Sequence, residues 1–236
     1  MFGFFGGLFG IGGATLAIPT LGIAFGMSEQ LAQGTALVMA LPNVVIGLLR
    51  YAEKARLDLK TAVLLSVVAL PFTYGGALIA TSLASRPLRI GFAIFLIVIA
   101  LDIGRRALYG GEPSHKIVLP WPFVGIVGAL CGICSGIFGI GGAIIVVPAL
   151  TMLFGYSQLA AQGMSLAFSV ATAAVTTSTY ASKGDVDWVV SVPLAIGGMV
   201  AVRFGVDLAH RLPERGLRLL FVAFAVCVGI ALLIKG

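Results

Sequence analysis

The sequence predicts an all-α polytopic membrane protein, and three observations lead to that fold class. Of the 236 residues, 59% are hydrophobic and only 10% are charged, against about 45–50% and about 25% in soluble domains. The apolar runs are separated by short basic loops, and the chain repeats itself once. A spanning helix needs about 20 apolar residues, so 236 residues of this composition leave almost nothing for a domain outside the membrane. Soluble catalytic modules are therefore excluded. The net charge of +6 then indicates membrane orientation rather than nucleic-acid binding.

The internal repeat aligns residues 9–107 with residues 138–236 without a gap. The motif Phe-Gly-Ile-Gly-Gly-Ala at 9–14 recurs at 138–143. Other matched pairs are Pro19 and Pro148, Gln33 and Gln162, Tyr51 and Tyr180, and Asp58 and Asp187. We therefore expect one membrane domain of two repeats. The first covers 1–107 with a truncated leading helix, a linker covers 108–117, and the second repeat covers 118–236.

The apolar runs predict the helices of each repeat in order. The first repeat has a broken segment at 1–26 and helices near 31–50, 60–84 and 88–104, and the second has runs at 118–155, 159–181, 187–210 and 216–234. A straight helix over 118–155 would measure about 57 Å, nearly twice the hydrocarbon thickness of about 30 Å. We therefore expect a helix of roughly 118–137, a glycine turn, and a half-helix of roughly 143–154 that returns the way the chain came.

Basic residues in the loops indicate how the repeats are oriented. If the run 118–155 crosses and returns, loops on alternate sides collect 11 and 4 Lys and Arg residues; a single crossing would give 9 and 6. The first arrangement follows the positive-inside rule better. It gives each repeat an odd number of passes, which predicts inverted topology. Secondary transporters often have this plan, with a binding site where broken helices meet.

The glycine breaks predict an anion site. A helix interrupted by Gly-X-Gly-Gly leaves unpaired amides and a partial positive charge at the start of the next half-helix, and such an end suits an anion. Two related breaks in a membrane imply a shared polar pocket. The alternative is that the glycines only allow close helix packing. The candidate residues are Gly10, Gly12, Gly13, Ala14, Gly139, Gly141, Gly142 and Ala143.

The duplicated motif also carries a family resemblance. Phe-Gly-Ile-Gly-Gly-Ala followed by four residues and a proline, present twice at a separation of 129 residues, resembles the sulfite exporter TauE/SafE family of membrane permeases. The resemblance covers essentially the whole chain. It implies two repeats that each open with a glycine-rich motif, and movement of sulfite, sulfoacetate or other small sulfur-containing or organic anions. Ala14 and Ala143 stand where many members have a third glycine.

The helix after each break supplies the other candidate residues. In the second repeat a stripe of hydroxyls falls on one helix face: Ser165, Ser169, Thr172, Thr176 and Thr179. Asn43 matches Thr172 in the first repeat, and Gln33 and Gln162 lie near the starts of their helices, within reach of the preceding half-helix. We expect substrate contacts from Gln33, Asn43, Gln162, Ser165 and Thr172. Tight packing and interhelical hydrogen bonding are the alternatives.

Together these features predict a secondary permease of small oxyanions in the cell membrane, working by alternating access between inverted repeats. The expected partners are a small anion and the lipid bilayer. The sequence leaves open whether the chain forms a homo-oligomer. The alternatives are a non-transporting membrane scaffold and an intramembrane enzyme. An enzyme needs a nucleophile with a base, or metal ligands, at membrane depth. The pattern offers neither, so we expect no catalytic residue, metal or cofactor.

Three further residues have less specific interpretations. Glu29 follows Ser28 in the turn after the first half-helix, where pairing with the helix dipole is favoured over proton coupling. Tyr51 and Tyr180 fall at the ends of apolar segments. We expect both tyrosines to be anchors at the membrane interface.

Overall fold

The computed structural model describes residues 1–54, 57–108, 120–140 and 142–235, and in these ranges it contains ten α-helices and no strand. The first five are α1 (Phe2–Phe9), α2 (Ala14–Ala24), α3 (Glu29–Lys54), α4 (Leu59–Ser82) and α5 (Ser85–Leu108). The second five are α6 (Phe123–Phe138), α7 (Ala143–Leu153), α8 (Gln158–Ser182), α9 (Trp188–Arg211) and α10 (Glu214–Lys235). The predicted all-α fold is confirmed. The predicted linker at 108–117 lies outside the described residues, apart from Leu108.

Both predicted helix breaks are present. The C-cap residues of α1 and α6 are Gly10 and Gly139, with φ of 69° and 63°. The N-cap residues of α2 and α7 are Gly13 and Gly142, with φ of 89° and 70°. These angles belong to the left-handed region, which glycine adopts without steric penalty. Gly-rich turns therefore divide each leading segment into two short helices.

Within the described ranges, five helices are long and apolar enough to cross a membrane: Glu29–Glu53, Leu59–Ser82, Gln158–Ser182, Trp188–Arg211 and Arg215–Leu233. Their outer faces expose large apolar side chains, such as Ile196, Val200 and Phe204 on α9. A water-soluble surface rarely carries contiguous apolar area of this extent, whereas a lipid-facing surface requires it. The chain is a multi-pass membrane protein.

Each repeat packs its first helix against a helix of the other repeat. Helix α1 of the first repeat packs against α9 of the second, and its counterpart α6 packs against α4. Helix α3 packs against its own counterpart α8, and α5 packs against α10. Matching helices thus make matching contacts in the two repeats, as expected when two units are related by a two-fold axis. The inverted orientation of the units stays a prediction.

Glycines bring these helices of different repeats into close contact. At Gly132 of α6, an added Cβ would lie 2.6 Å from the carbonyl oxygen of Ala69 on α4. At the matching Gly3 of α1, it would collide with the backbone of Gly198 on α9. Small residues at such crossings allow backbones to approach, as is common between membrane helices. Close packing by glycine therefore occurs within α1 and α6, and also at the breaks, where a Cβ added to Gly12 or Gly142 would collide with Val44 or Phe168.

Candidate functional site

Both chain breaks are enclosed by protein. The break residues Gly10, Gly12, Gly13 and Gly142 are buried, and so is Gly139. Gly141 and the side chain of Ala143 lie outside the described residues. Within lipid, irregular backbone is tolerated only against protein or in a polar cavity. The enclosure of the breaks satisfies that condition.

Each break is contacted by a glutamine of the other repeat. A Cβ added to Gly10 would lie 2.9 Å from Cβ of Gln162, and one added to Gly139 would lie 3.0 Å from Cβ of Gln33. The sequence predicted that these glutamines lie within reach of the preceding half-helix of their own repeat. The structure instead brings each one to the opposite break, because α3 and α8 pack against each other.

Two buried tyrosines hold the glutamines. The Tyr180 hydroxyl donates to Oε1 of Gln33 at 2.5 Å. The Tyr51 hydroxyl lies 3.0 Å from Oε1 of Gln162 and 3.2 Å from the Gly7 carbonyl oxygen. Both tyrosines are fully buried, so the prediction that they are interfacial anchors is wrong. Each phenol finds a polar partner inside the protein, which a position at the end of an apolar run does not reveal.

The hydroxyl stripe of α8 is buried, but most of its hydroxyl groups already donate hydrogen bonds to backbone carbonyl oxygens. Ser165 Oγ lies 3.1 Å from the Gly10 carbonyl oxygen and 2.8 Å from that of Gln162, and both of these groups can only accept. Thr172 donates to the Phe168 carbonyl oxygen, and Thr176 to that of Thr172. Helical Ser and Thr often bond the preceding turn in this way. The stripe therefore offers an anion few free donors.

The side-chain amide of Asn43 differs from these hydroxyl groups in its hydrogen bonding. It is fully buried on α3, yet neither Nδ2 nor Oδ1 has a hydrogen-bond partner in the part of the chain that the structure describes. The next residue, Val44, packs against Gly12 in the first break. Buried polar groups are nearly always paired with protein, water or ligand. The Asn43 carboxamide lies against Gly198 of α9, so a ligand that reaches this helix contact would find two amide donors.

Other buried hydroxyls flank the breaks and have no partner among the residues that the structure describes; the sequence interpretation missed them. Thr15 lies in the first turn of α2, and Ser135 in the last turn of α6; Thr73 lies on α4 against α6. A Cβ added to Gly142 would come within 3.2 Å of Ser135 Cβ. No repeat signal marks these residues, since the positions matching Thr15 and Ser135 are Ile144 and Gly6.

A buried ion pair lies one helical turn from Gln33. Glu29, the first residue of α3, is 1% exposed, and its Oε2 lies 3.3 Å from Nε of Arg89 on α5. Gln33 Nε2 lies 3.5 Å from the other oxygen, Oε1. The Ser28 hydroxyl accepts the Leu31 N–H, so the predicted cap at this helix start is present. The Glu29 carboxylate therefore lies in the first turn of α3, as predicted, but it also forms an ion pair with Arg89.

Matching aspartates cap the corresponding helices α4 and α9 outside the spans. Asp58 accepts the Thr61 N–H, and Asp187 accepts those of Val189 and Val190. The Tyr156 hydroxyl also donates to Asp58 at 2.7 Å, and this bond holds the pKa of Asp58 below its usual range. The bond ties the turn before α8 to the loop before α4.

Comparison with known proteins agrees with this architecture. The model of the family "Sulfite exporter TauE/SafE" matches residues 1–232. A "Probable membrane transporter protein" of Xylella fastidiosa (strain 9a5c) is 30% identical, with 96% of this chain and 90% of the relative aligned. A relative of the same description from Methanocaldococcus jannaschii is 26% identical over 98% and 91% of the two chains. "Probable membrane transporter protein YunE" of Bacillus subtilis (strain 168) is 22% identical over 98% and 93%.

No solved structure gives a significant match. The family match extends over nearly the full length of the chain, from α1 through most of α10. It therefore includes both glycine breaks and all the helices that enclose them. The chain belongs to the sulfite exporter TauE/SafE family.

Proposed function

We propose that this protein is a secondary permease of small oxyanions, sulfite or related sulfur-containing or organic anions, working by alternating access between two inverted repeats. Membership of a transporter family supports the general class, as do the names of the relatives. The observation that carries the proposal is the crossed contact at the breaks, where Gln33 meets Gly139 and Gln162 meets Gly10. A movement of one repeat against the other would change both breaks together.

In this proposal the anion binds between the starts of α2 and α7. The backbone amides of Gly13, Ala14, Gly142 and Ala143 supply donors. Gly10, Gly12 and Gly139 shape the turns, since the Gly12 N–H already donates to the Gly6 carbonyl oxygen at 3.3 Å. Asn43, Gln33 and Gln162 add side-chain amides, while Ser165 and Thr172 form the supporting wall. The unpaired amide of Asn43 supports this arrangement, because a buried carboxamide without a partner is destabilising.

Neutral donors suit a substrate that must be released. A partly buried helix end stabilises an anion by up to about 2 kcal/mol. Two such ends then supply about 4 kcal/mol, which corresponds to a Kd of about 1 mM. A weak site of this kind permits turnover, whereas a cluster of buried arginines would retain the anion.

The proposal is tested with Asn43→Leu, which removes the unpaired amide and keeps the branched shape of the side chain. Since hydrogen bonds to a charged group are worth about 1.5–3 kcal/mol, we expect the KM for labelled sulfite in proteoliposomes to rise about tenfold or more. The thermal midpoint is measured in parallel to show that the variant folds, because Leu is larger than Asn and Asn43 lies against Gly198. Thr177→Val is the matched control, because the Thr177 hydroxyl is also buried and unpartnered but lies off the α8 stripe.

Sulfate and small carboxylates are measured in the same assay to define the range of substrates. An unchanged KM for sulfite in Asn43→Leu would remove Asn43 from the site. Wild-type vesicles that move none of these anions would contradict the permease and favour the scaffold alternative.

A further inference from the structure

One feature breaks the symmetry between the two otherwise similar sites. Glu29 is the one buried carboxylate in the part of the chain that the structure describes. The matching position in the second repeat is Gln158, although Gln33, Tyr180 and Gly139 all have identical counterparts. A carboxylate in a membrane interior is expensive unless it is paired, and such groups commonly belong to ion or proton pathways.

The two oxygens of Glu29 face in different directions. Oε2 contacts Nε of Arg89, whose side chain is 23% exposed, so this side of the carboxylate lies near the protein surface. Oε1 faces Gln33 Nε2, and Gln33 in turn contacts the second break at Gly139. The Tyr180 hydroxyl holds the far oxygen of Gln33. A chain of polar contacts therefore runs from a partly exposed guanidinium to Gln33, and the Cβ and Cγ atoms of Gln33 lie against the break at Gly139.

We propose that Glu29 is the proton-binding site that couples anion movement to proton movement, with one proton accompanying each monovalent oxyanion. This inference rests on the proposed function. A proton from water adds to a carboxylate oxygen of Glu29 and is released to water on the other side of the membrane. Protonation removes the negative charge that pairs with Arg89 and weakens Glu29 as the acceptor for Gln33 Nε2. Both side chains then have donors to offer an anion.

Charge balance fixes the stoichiometry. The empty site contains ionised Glu29 and Arg89 and has no net charge. The loaded site contains neutral Glu29, charged Arg89 and one anion, and is again neutral. An anion without a proton, or a proton without an anion, leaves one unpaired buried charge, which costs several kcal/mol. Co-loading of the proton and the anion is therefore strongly favoured, and the transport cycle is electroneutral.

The other ionisable groups at this end of α3 do not replace Glu29. Arg89 on α5 stays charged at all relevant pH values. Tyr180 of α8 uses its proton in the bond to Gln33. In the turn after α8, Asp187 caps α9, and Asp185 presents its backbone oxygen to Gly34. Glu29 is the group among them whose protonation changes the ion pair directly.

The test uses Glu29→Gln, which gives the first repeat the residue that the second repeat already has. Proteoliposomes are assayed in two ways: accumulation of labelled sulfite driven by an inward pH gradient, and counterflow against unlabelled sulfite at equal pH. For wild type we expect a gradient of one pH unit to give up to about tenfold accumulation, with no effect of a clamped membrane potential. For Glu29→Gln we expect counterflow within about threefold of wild type and no gradient-driven accumulation.

Two further variants make the result specific. Glu29→Asp restores gradient-driven accumulation, because it returns a carboxylate to the site. Glu53→Gln, at the exposed end of the same helix, where Glu53 pairs with Arg50, behaves as wild type. Glu29→Gln that accumulates sulfite as wild type does, or that is folded but inactive in both assays, overturns the coupling role. Wild type that shows counterflow without any response to pH also overturns it, whereas absence of all wild-type flux contradicts the proposed function instead.

Discussion

Side chains that contact the breaks are oriented by partners from both repeats. Gln33 illustrates this, since its amide oxygen accepts from Tyr180 and its nitrogen faces Glu29. These two partners determine which way the amide points, because a carboxylate can only accept and the phenol here donates. The repeat register in the sequence marked Gln33 and Tyr180 as special, but it could not show that they meet.

Removal of the Tyr180 hydroxyl tests this orientation. Tyr180→Phe leaves the buried Gln33 oxygen without a donor, at a cost of about 1–3 kcal/mol in the free energy of unfolding. We expect a lower thermal midpoint in detergent and a raised KM for sulfite. Tyr74→Phe is the control, since Tyr74 is 52% exposed and should change neither value. Equal behaviour of the two variants would show that the Tyr180 hydroxyl does not hold Gln33.

At the scale of the helices, glycine has two separate roles. At the breaks it supplies positive φ angles that end α1 and α6 and begin α2 and α7. Within helices it permits close crossings, as at Gly198 of α9, where an added Cβ would collide with the Asn43 side chain. The sequence analysis set these roles against each other as alternatives. The structure contains both, and the break glycines combine them, since a Cβ added to Gly12 or Gly142 would also collide with a neighbouring side chain.

Two adjacent glycines on α9 separate close packing from simple helix propensity. Gly197 has open space around its Cα, so Gly197→Ala should stabilise the protein by about 0.5–1 kcal/mol through the unfolded chain. Gly198→Ala should destabilise it by about 1–3 kcal/mol, because the added methyl group overpacks the contact with α3. Thermal unfolding of both variants measures the difference. A Gly198→Ala protein as stable as Gly197→Ala would show that α3 and α9 are less tightly packed than described.

At the scale of the whole molecule, the sequence was informative wherever a signal was periodic or repeated. Length and hydropathy were enough to place the helices and breaks, since 118–155 is too long for one span. The packing of α1 and α6 against helices of the opposite repeat was not predictable, because it depends on contacts between distant segments. For the same reason Glu29 was assigned to a helix start, and its pairing with Arg89, 60 residues away, was not foreseen.

The account depends on the two breaks forming one polar site, and an experimental structure of the protein with sulfite bound tests this most directly. We predict density for the anion between residues 10–14 and 139–143, within hydrogen-bond distance of backbone amides from both repeats and of the Asn43 side chain. Anion density elsewhere, with the space between the breaks filled by apolar side chains, would contradict the account.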